Sequence, residues 1–183
     1  MKIERVWAMP SKNTFSIAPI KELLMEEVDS SLLWIDPFAG DSKIARITND
    51  LNPDYDTDCH LEAKDFLKRF EAESVDGVLL DAPYSPRQVA ECYKGFGREV
   101  TSMTTRASFW GEIKKEISRI VRPNGKCITF GWNSGGIGKS LGFDITRILL
   151  VPHGGWHNDT ICTVERKQVE MPVNSSKGEN HES

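Results

Sequence analysis

The sequence predicts an α/β protein with a mostly parallel sheet that ends in an antiparallel hairpin. Two observations predict this class. Short apolar runs that end at an acid or a turn alternate with helical patterns, and two longer apolar segments close the chain around a loop. The predicted strands are residues 32–36, 46–50, 76–81, 126–132, 143–151 and 160–165, and the predicted helices are about residues 17–28 and 107–121.

The first three strands are recognised by their ends. Residues 32–36 are apolar up to Asp36 and stop at a proline, which lacks the N–H that a sheet ladder needs. Residues 46–50 alternate in polarity and end before an Asn-Pro turn. Residues 76–81 are apolar up to Asp81. Each of these strands therefore ends in an acid.

Helical spacing and capping residues identify the two helices. Helix 17–28 follows Ser16, a favoured N-cap residue type, and carries Pro19 in its first turn. Helix 107–121 is amphipathic and is separated from strand 126–132 by the turn residues 122–125. The apolar faces of the two helices contain Ile17, Ile20, Leu24 and Val28, and Phe109, Ile113, Ile117, Ile120 and Val121.

The last two strands, 143–151 and 160–165, form the predicted hairpin, and residues 152–159 are its loop. Residues 168–183 are polar and are predicted to be a disordered tail. The folded part is therefore expected to be a single domain over residues 1–167. The 183 residues allow one full domain and leave little room for a second.

Composition excludes several classes of protein. A hydrophobic fraction of 39% with five Trp and eight Phe excludes global disorder. No apolar run approaches the ~20 residues of a membrane helix, and no secretory signal is seen in residues 1–15. The four cysteines are scattered without a C-x-x-C pattern, which argues against structural zinc or a disulfide framework. We expect a cytoplasmic protein with no metal site.

Three acids mark the expected site. In open α/β sheets, ligands bind beyond the carboxyl ends of the strands. Asp36, Asp50 and Asp81 end three predicted strands, so they are expected to lie on one rim.

The tetrapeptide Asp81-Ala82-Pro83-Tyr84 suits chemistry on a planar amino group. The lone pair of such a group is delocalised into its ring, so the nitrogen is a poor nucleophile. The Asp81 carboxylate and the Ala82 carbonyl can accept hydrogen bonds from the two N–H groups of the amino group. They thereby stabilise the positive charge that develops on nitrogen during attack. Pro83 restricts the backbone, and Tyr84 offers a flat face for stacking.

These residues resemble the S-adenosylmethionine-dependent amino-methyltransferases, whose motif is Asp/Asn-Pro-Pro-Tyr. The likeness covers about residues 7–167 and is strongest to the small DNA adenine-N6 methyltransferases of bacteria and phages. It implies a Rossmann-like class I methyltransferase fold and S-adenosyl-L-methionine as cofactor. The cofactor-binding residues that it implies are Phe15 in a closing segment, the loop Asp36, Pro37, Phe38, Ala39 and Gly40, Asp50 for the ribose hydroxyls, and Asp65 and Phe66 at the adenine.

The chain departs from that family in three ways. Ala82 stands where the family usually has Pro, so the loop loses stiffness. Only about eight residues follow Asp36 before the next strand, too few for a crossover helix. No segment is long enough for a separate target-recognition domain, so sequence choice would depend on loops, a homodimer partner or a specificity subunit.

The residues expected to contact the target lie after the tetrapeptide and in the hairpin loop. Residues 85–122 hold eight basic residues and four Glu, a net charge of +4 in a chain of net charge −4. Phosphate contacts supply much of non-specific nucleic-acid affinity, and a base in duplex DNA would be flipped out to reach Asp81. The candidate substrate-binding residues are Arg87, Gln88, Arg98, Arg106, His157 and Asn158.

Two other motifs are incomplete in this sequence, and other acceptors fit the same tetrapeptide. A phosphate loop at Gly138-Lys139-Ser140 would need Gly at the position of Asn133, and His153 and His157 do not form a zinc motif. RNA adenine or a protein Gln or Asn amide presents the same planar amino group as DNA adenine. A non-catalytic, cofactor-binding subunit of a methyltransferase complex is a further alternative, because Ala82 departs from the motif.

Overall fold

The computed structural model describes residues 1–83, 107–155 and 158–169. The described residues form a seven-stranded sheet with helices on both faces. The strands are β1 (Lys2–Arg5), β2 (Trp34–Asp36), β3 (Ile47–Thr48), β4 (Val75–Leu80), β5 (Val121–Gly131), β6 (Phe143–Val151) and β7 (Thr160–Lys167). The α-helices are α1 (Ala18–Glu27), α2 (Ala63–Leu67) and α3 (Ala107–Ile120), and short 3₁₀ helices span Thr14–Ser16 and Lys139–Leu141.

The strand order is β1-β6-β7-β5-β4-β2-β3. All neighbouring pairs are parallel except those made by β7, which is antiparallel to both β5 and β6. The mostly parallel sheet with a C-terminal antiparallel hairpin is therefore confirmed. Because β2 lies between β3 and β4, the strand order reverses there, and the carboxyl end of β2 is the switch point at which ligands bind in such sheets.

Two apolar layers hold the helices against the sheet. On one face, Ile20 and Leu24 of α1 pack with Trp34, Leu79 and Ile128 of the strands. On the other face, α2 and α3 cover alternate residues of the same strands, including Val78, Leu80 and Cys127. Since side chains alternate along a strand, these clusters show which face each strand residue occupies.

The boundaries of several elements differ from the prediction. β5 begins at Val121, five residues earlier than predicted, because Val121 pairs with Val75 of β4 before a register shift and Lys126 pairs with Gly77 after it. β1 and α2 were not predicted. β1 is a four-residue edge strand with three charged residues, and α2 has only five residues.

The chain between β2 and β3 is unusually short for a parallel connection. All ten residues 37–46 are described, and none of them is helical. The expected absence of a crossover helix is confirmed. A parallel connection usually takes a dozen or more residues and contains a helix. The loop after β2 must therefore be held by other contacts.

None of the described helices is long and apolar enough to cross a membrane.

Candidate active site

Asp36, at the carboxyl end of β2, is completely buried. Its Oδ1 accepts the Phe38 N–H at 2.9 Å, whereas its Oδ2 has no hydrogen-bond partner among the described residues. Burial raises the pKa of this carboxyl well above its usual range, and the nearby charges of Asp81 and Asp50 raise it further. A buried carboxyl oxygen without a hydrogen-bond partner is rare in native proteins and calls for an explanation.

Asp81 follows β4 directly, on the strand adjacent to β2. Its charge raises the pKa of Asp36 and that of the Cys162 thiol, after burial as the main cause in each case. Trp34 lies two residues before Asp36 and belongs to the cluster under α1, so Asp36 faces that side of the sheet. Cys162, which Asp81 influences, belongs to the same cluster, so Asp81 faces that side as well. The structure thus brings the predicted catalytic carboxylate close to the predicted cofactor loop.

The rest of the tetrapeptide is only partly described. Ala82 and Pro83 are half-buried, and Ala82 packs against the cluster under α2 and α3. Tyr84 lies outside the described residues, so its predicted stacking role stays a prediction.

Asp50, two residues after β3, holds the loop that follows β2. Its Oδ2 accepts the Gly40 N–H at 3.0 Å and its Oδ1 accepts the Asn52 N–H at 2.9 Å. Burial raises the pKa of Asp50, although these two hydrogen bonds oppose the shift. Gly40 has a φ of +52°, which favours glycine, and the Tyr55 ring lies beside it.

Phe38 and Ala39 complete the loop. Phe38 is half-buried, and its ring lies 6.1 Å from that of Trp110, centroid to centroid. Trp110 belongs to α3, so this contact joins the loop to α3. Ala39 is buried, and its N–H donates to the Asn49 carbonyl at 2.9 Å.

The remaining predicted cofactor residues differ in exposure. Phe15 is buried and stacks on Phe130 with 4.8 Å between ring centroids, so it belongs to the core under α1. Phe66 is also buried, packs edge-on against Phe70, and belongs to the cluster under α2 and α3. Asp65, on the outer side of α2, is exposed and pairs with Lys68 at 3.2 Å.

The structure describes one of the six predicted substrate-binding residues. Asn158 is exposed in the hairpin loop. The other five lie outside the described residues: Arg87, Gln88, Arg98, Arg106 and His157.

Two motifs that the sequence analysis set aside have structural explanations. The buried Glu165 carboxylate accepts the N–H groups of Ile137 at 2.6 Å and Gly138 at 2.9 Å, so these amides are not free for a phosphate. His153 is buried, with Nδ1 2.9 Å from the Ala8 carbonyl and Nε2 2.9 Å from the Thr160 hydroxyl. Among the described residues, no group of three His, Cys, Asp or Glu side chains could hold a metal ion.

Sequence reasoning missed three residues that shape this site: Asn49, Tyr55 and Trp110. Asn49 precedes a predicted site acid and could have been noticed for that reason. Tyr55 lies in an irregular loop and Trp110 on a helix remote in sequence, so only the tertiary structure brings them to the loop after β2.

Comparison with solved structures finds a similar fold in methyltransferases. The chain is similar to the 1,6-didemethyltoxoflavin-N1-methyltransferase of Burkholderia thailandensis, solved with S-adenosylhomocysteine (13% identity, TM-score 0.57, 82% of this chain and 77% of that chain covered). It is similar to an S-adenosylmethionine-dependent methyltransferase of Methanosarcina mazei (10%, 0.56, 81% and 98%). It is also similar to the N-methyltransferase NodS of Bradyrhizobium japonicum (8%, 0.55, 86% and 99%).

These likenesses show the fold, which is the Rossmann-like class I methyltransferase fold that the sequence predicts. No protein-family model matches the sequence, and no curated protein matches it. The activity therefore has to be argued from the site.

Proposed function

We propose that this protein transfers the methyl group of S-adenosyl-L-methionine to the exocyclic N6 of adenine in DNA. The observation that carries the proposal is the position of two carboxylates at the switch point of the sheet. Asp36 ends β2, Asp81 directly follows the adjacent strand β4, and both face the same side of the sheet.

The residues around the loop after β2 suit the cofactor. The unpartnered Oδ2 of Asp36 offers a buried acceptor to the cationic methionine portion, whose positive charge would favour the ionised carboxylate. Each carboxylate oxygen of Asp50 accepts one backbone N–H, from Gly40 or from Asn52. The lone pairs that these bonds do not use would accept hydrogen bonds from the ribose hydroxyls. The exposed Asp65 would accept from the adenine amino group. When bound, the cofactor supplies an electrophilic methyl group on a sulfonium.

The residues after β4 suit the acceptor. The Asp81 carboxylate and the Ala82 carbonyl would accept the two N–H bonds of the adenine amino group and stabilise the positive charge that develops on nitrogen. Pro83 limits the movement of that carbonyl. Tyr84 would stack on the base, and the extra proton leaves to solvent after transfer.

DNA is the proposed acceptor because of the basic segment that follows the tetrapeptide. Residues 85–122 carry a net charge of +4 next to the proposed catalytic residues, and phosphate contacts hold a nucleic acid there. RNA and protein amides remain the comparison substrates in the test.

Transfer of labelled methyl groups tests the proposal. The wild-type protein is incubated with labelled cofactor and with unmethylated DNA, RNA and protein in parallel. We expect label in adenine of DNA, and a loss of at least 100-fold in the Asp81→Ala variant with S-adenosylhomocysteine affinity unchanged. The Asp29→Asn variant, which alters an exposed acid in the loop after α1, is the matched control. Absence of transfer to DNA adenine by a wild-type protein that binds the cofactor would refute the DNA assignment.

A further inference from the structure

Asn49 connects the loop to which the proposed function assigns the methionine portion of the cofactor with the segment before Asp65, to which it assigns the adenine. It is completely buried at the end of β3. Its Nδ2 donates to the Pro37 carbonyl and to the Leu61 carbonyl, both at 3.0 Å, and its Oδ1 accepts the Leu61 N–H at 2.9 Å. Both N–H donors of the side-chain amide and one acceptor position of its oxygen are therefore engaged.

The backbone of Asn49 adds two further hydrogen bonds. Its N–H donates to the Asp36 carbonyl at 2.8 Å, and its carbonyl accepts the Ala39 N–H at 2.9 Å. One residue therefore contacts three positions of the loop after β2 and both backbone groups of Leu61. Leu61 lies two residues before α2, which carries Asp65.

The short connection after β2 gives this clamp its importance. In a βαβ unit, the helix that follows the ligand-binding loop normally fixes the loop. In this chain residues 37–46 are all described and contain no helix. The contacts that replace the helix come from Asp36, Asp50 and Asn49. The backbone of Asp50 also bonds Cys59 and the His60 ring, and of the three residues Asn49 alone bonds Leu61, the position nearest α2.

We infer that Asn49 is a positioning residue for cofactor binding, which sets the distance between the loop 36–40 and the segment that carries Asp65. This inference rests on the proposed function. Asn49 acts through the residues that it hydrogen-bonds and touches neither reactant itself.

The test compares variants of Asn49 with a variant of Asp76, whose carboxylate makes a similar hydrogen bond to the backbone at the opposite edge of the sheet. Asp76, near the amino end of β4, accepts the Leu33 N–H at 2.7 Å and is outside the proposed site. Asn49→Asp keeps an acceptor for Leu61 but loses both donors, whereas Asn49→Ala loses the whole amide. S-adenosylhomocysteine affinity is measured by calorimetry and thermal stability by scanning calorimetry, with hydrogen exchange followed at the loop amides.

We expect both Asn49 variants to bind S-adenosylhomocysteine at least tenfold more weakly than wild type and to exchange the amides of residues 38–40 faster. Asp76→Ala should lose thermal stability and keep wild-type affinity. In turnover assays KM for the methyl donor should rise more than kcat falls. Folded Asn49 variants with wild-type affinity would overturn the inference and leave the proposed function intact. A wild-type protein that does not bind S-adenosylhomocysteine would instead overturn the proposed function.

If neither Asn49 variant folds, hydrogen exchange of the wild-type protein decides. The Ala39 and Leu61 amides both donate to Asn49, so bound S-adenosylhomocysteine should protect them together. Protection of Ala39 with unchanged exchange at Leu61 would overturn the inference.

Discussion

Asp36 has a proposed role in cofactor binding, but its burial lowers the stability of the ligand-free protein. Its Oδ1 is satisfied by Phe38, but its Oδ2 is buried without a donor among the described residues. Burying such a group without compensation opposes folding. A cationic ligand would supply the missing compensation, so this residue should favour binding at the expense of stability.

The substitution Asp36→Asn tests this balance through pH. Burial raises the folded-state pKa of Asp36 above its unfolded value, so ionisation opposes folding. The penalty is absent below the unfolded pKa of about 3.9 and grows as pH rises above it. The free variant should therefore gain stability relative to wild type between pH 4 and pH 7.5, by roughly 1–3 kcal/mol. Its affinity for S-adenosylhomocysteine should fall at least tenfold.

Urea unfolding of both proteins at several pH values measures the stability difference. A difference that stays constant from pH 4 to pH 7.5 would contradict the raised pKa. An unchanged affinity would remove Asp36 from the proposed cofactor site.

At the scale of secondary structure, prediction succeeded where the local pattern and the tertiary environment agree. α3 has one strongly apolar face, and β6 has the predicted bounds. β1 could not be predicted, because its charged residues belong to an edge strand. Arg147 of β6 binds Glu4 of β1 at 2.6 Å and also binds Glu26 and Glu27 of α1. Such contacts between distant segments leave no periodic signal in the sequence.

Two glycines give a matched test of the packing between elements. A Cβ at Gly77 of β4 would overlap the Trp34 ring of β2, whereas a Cβ at Gly111 of α3 would meet nothing within 4 Å. Gly77→Ala should lower the free energy of unfolding by about 1–3 kcal/mol. Gly111→Ala should raise it by about 1 kcal/mol, because alanine favours a helix interior. Denaturant unfolding measures both, and an unaffected Gly77→Ala variant would contradict the close contact of β2 and β4.

The Arg147 cluster predicts a second effect between elements. Arg147→Met would leave three carboxylates without the guanidinium that pairs them, and the Arg147 side chain is only 10% exposed. We expect a loss of about 3 kcal/mol at neutral pH. The hydrogen bonds from Lys2 and, second, from Arg147 lower the pKa of Glu4, so the stability they contribute is present above the unfolded pKa and is lost as pH falls through the folded value. The loss should therefore shrink toward acidic pH.

Lys43→Met is the control for that variant, because its partner Asp56 is fully exposed and the pair should contribute little. Chemical unfolding at pH 7 and pH 4 makes the comparison. Equal effects of the two substitutions would contradict a stabilising role for the buried Arg147.

At the scale of the whole molecule, the fold could be predicted, and so could the location of Asp36 and Asp81 at the carboxyl ends of adjacent strands. The contacts that hold these residues in place could not be predicted. Strand-terminal acids indicate the carboxyl rim because parallel strands end at one edge. The clamp made by Asn49 and the contact of Phe38 with Trp110 join residues far apart in sequence. Only the packed sheet determines such contacts. The nature of the acceptor depends on residues after Pro83, and it therefore stays a proposal.

The most direct test of the central claim is mass spectrometry of nucleosides from cells that express the protein. We predict that N6-methyladenine appears in the DNA of cells with the wild-type protein and is absent with the Asp81→Ala variant produced at the same level. DNA without N6-methyladenine in cells that contain the folded wild-type protein, or equal amounts with both proteins, would contradict methyl transfer to adenine at Asp81.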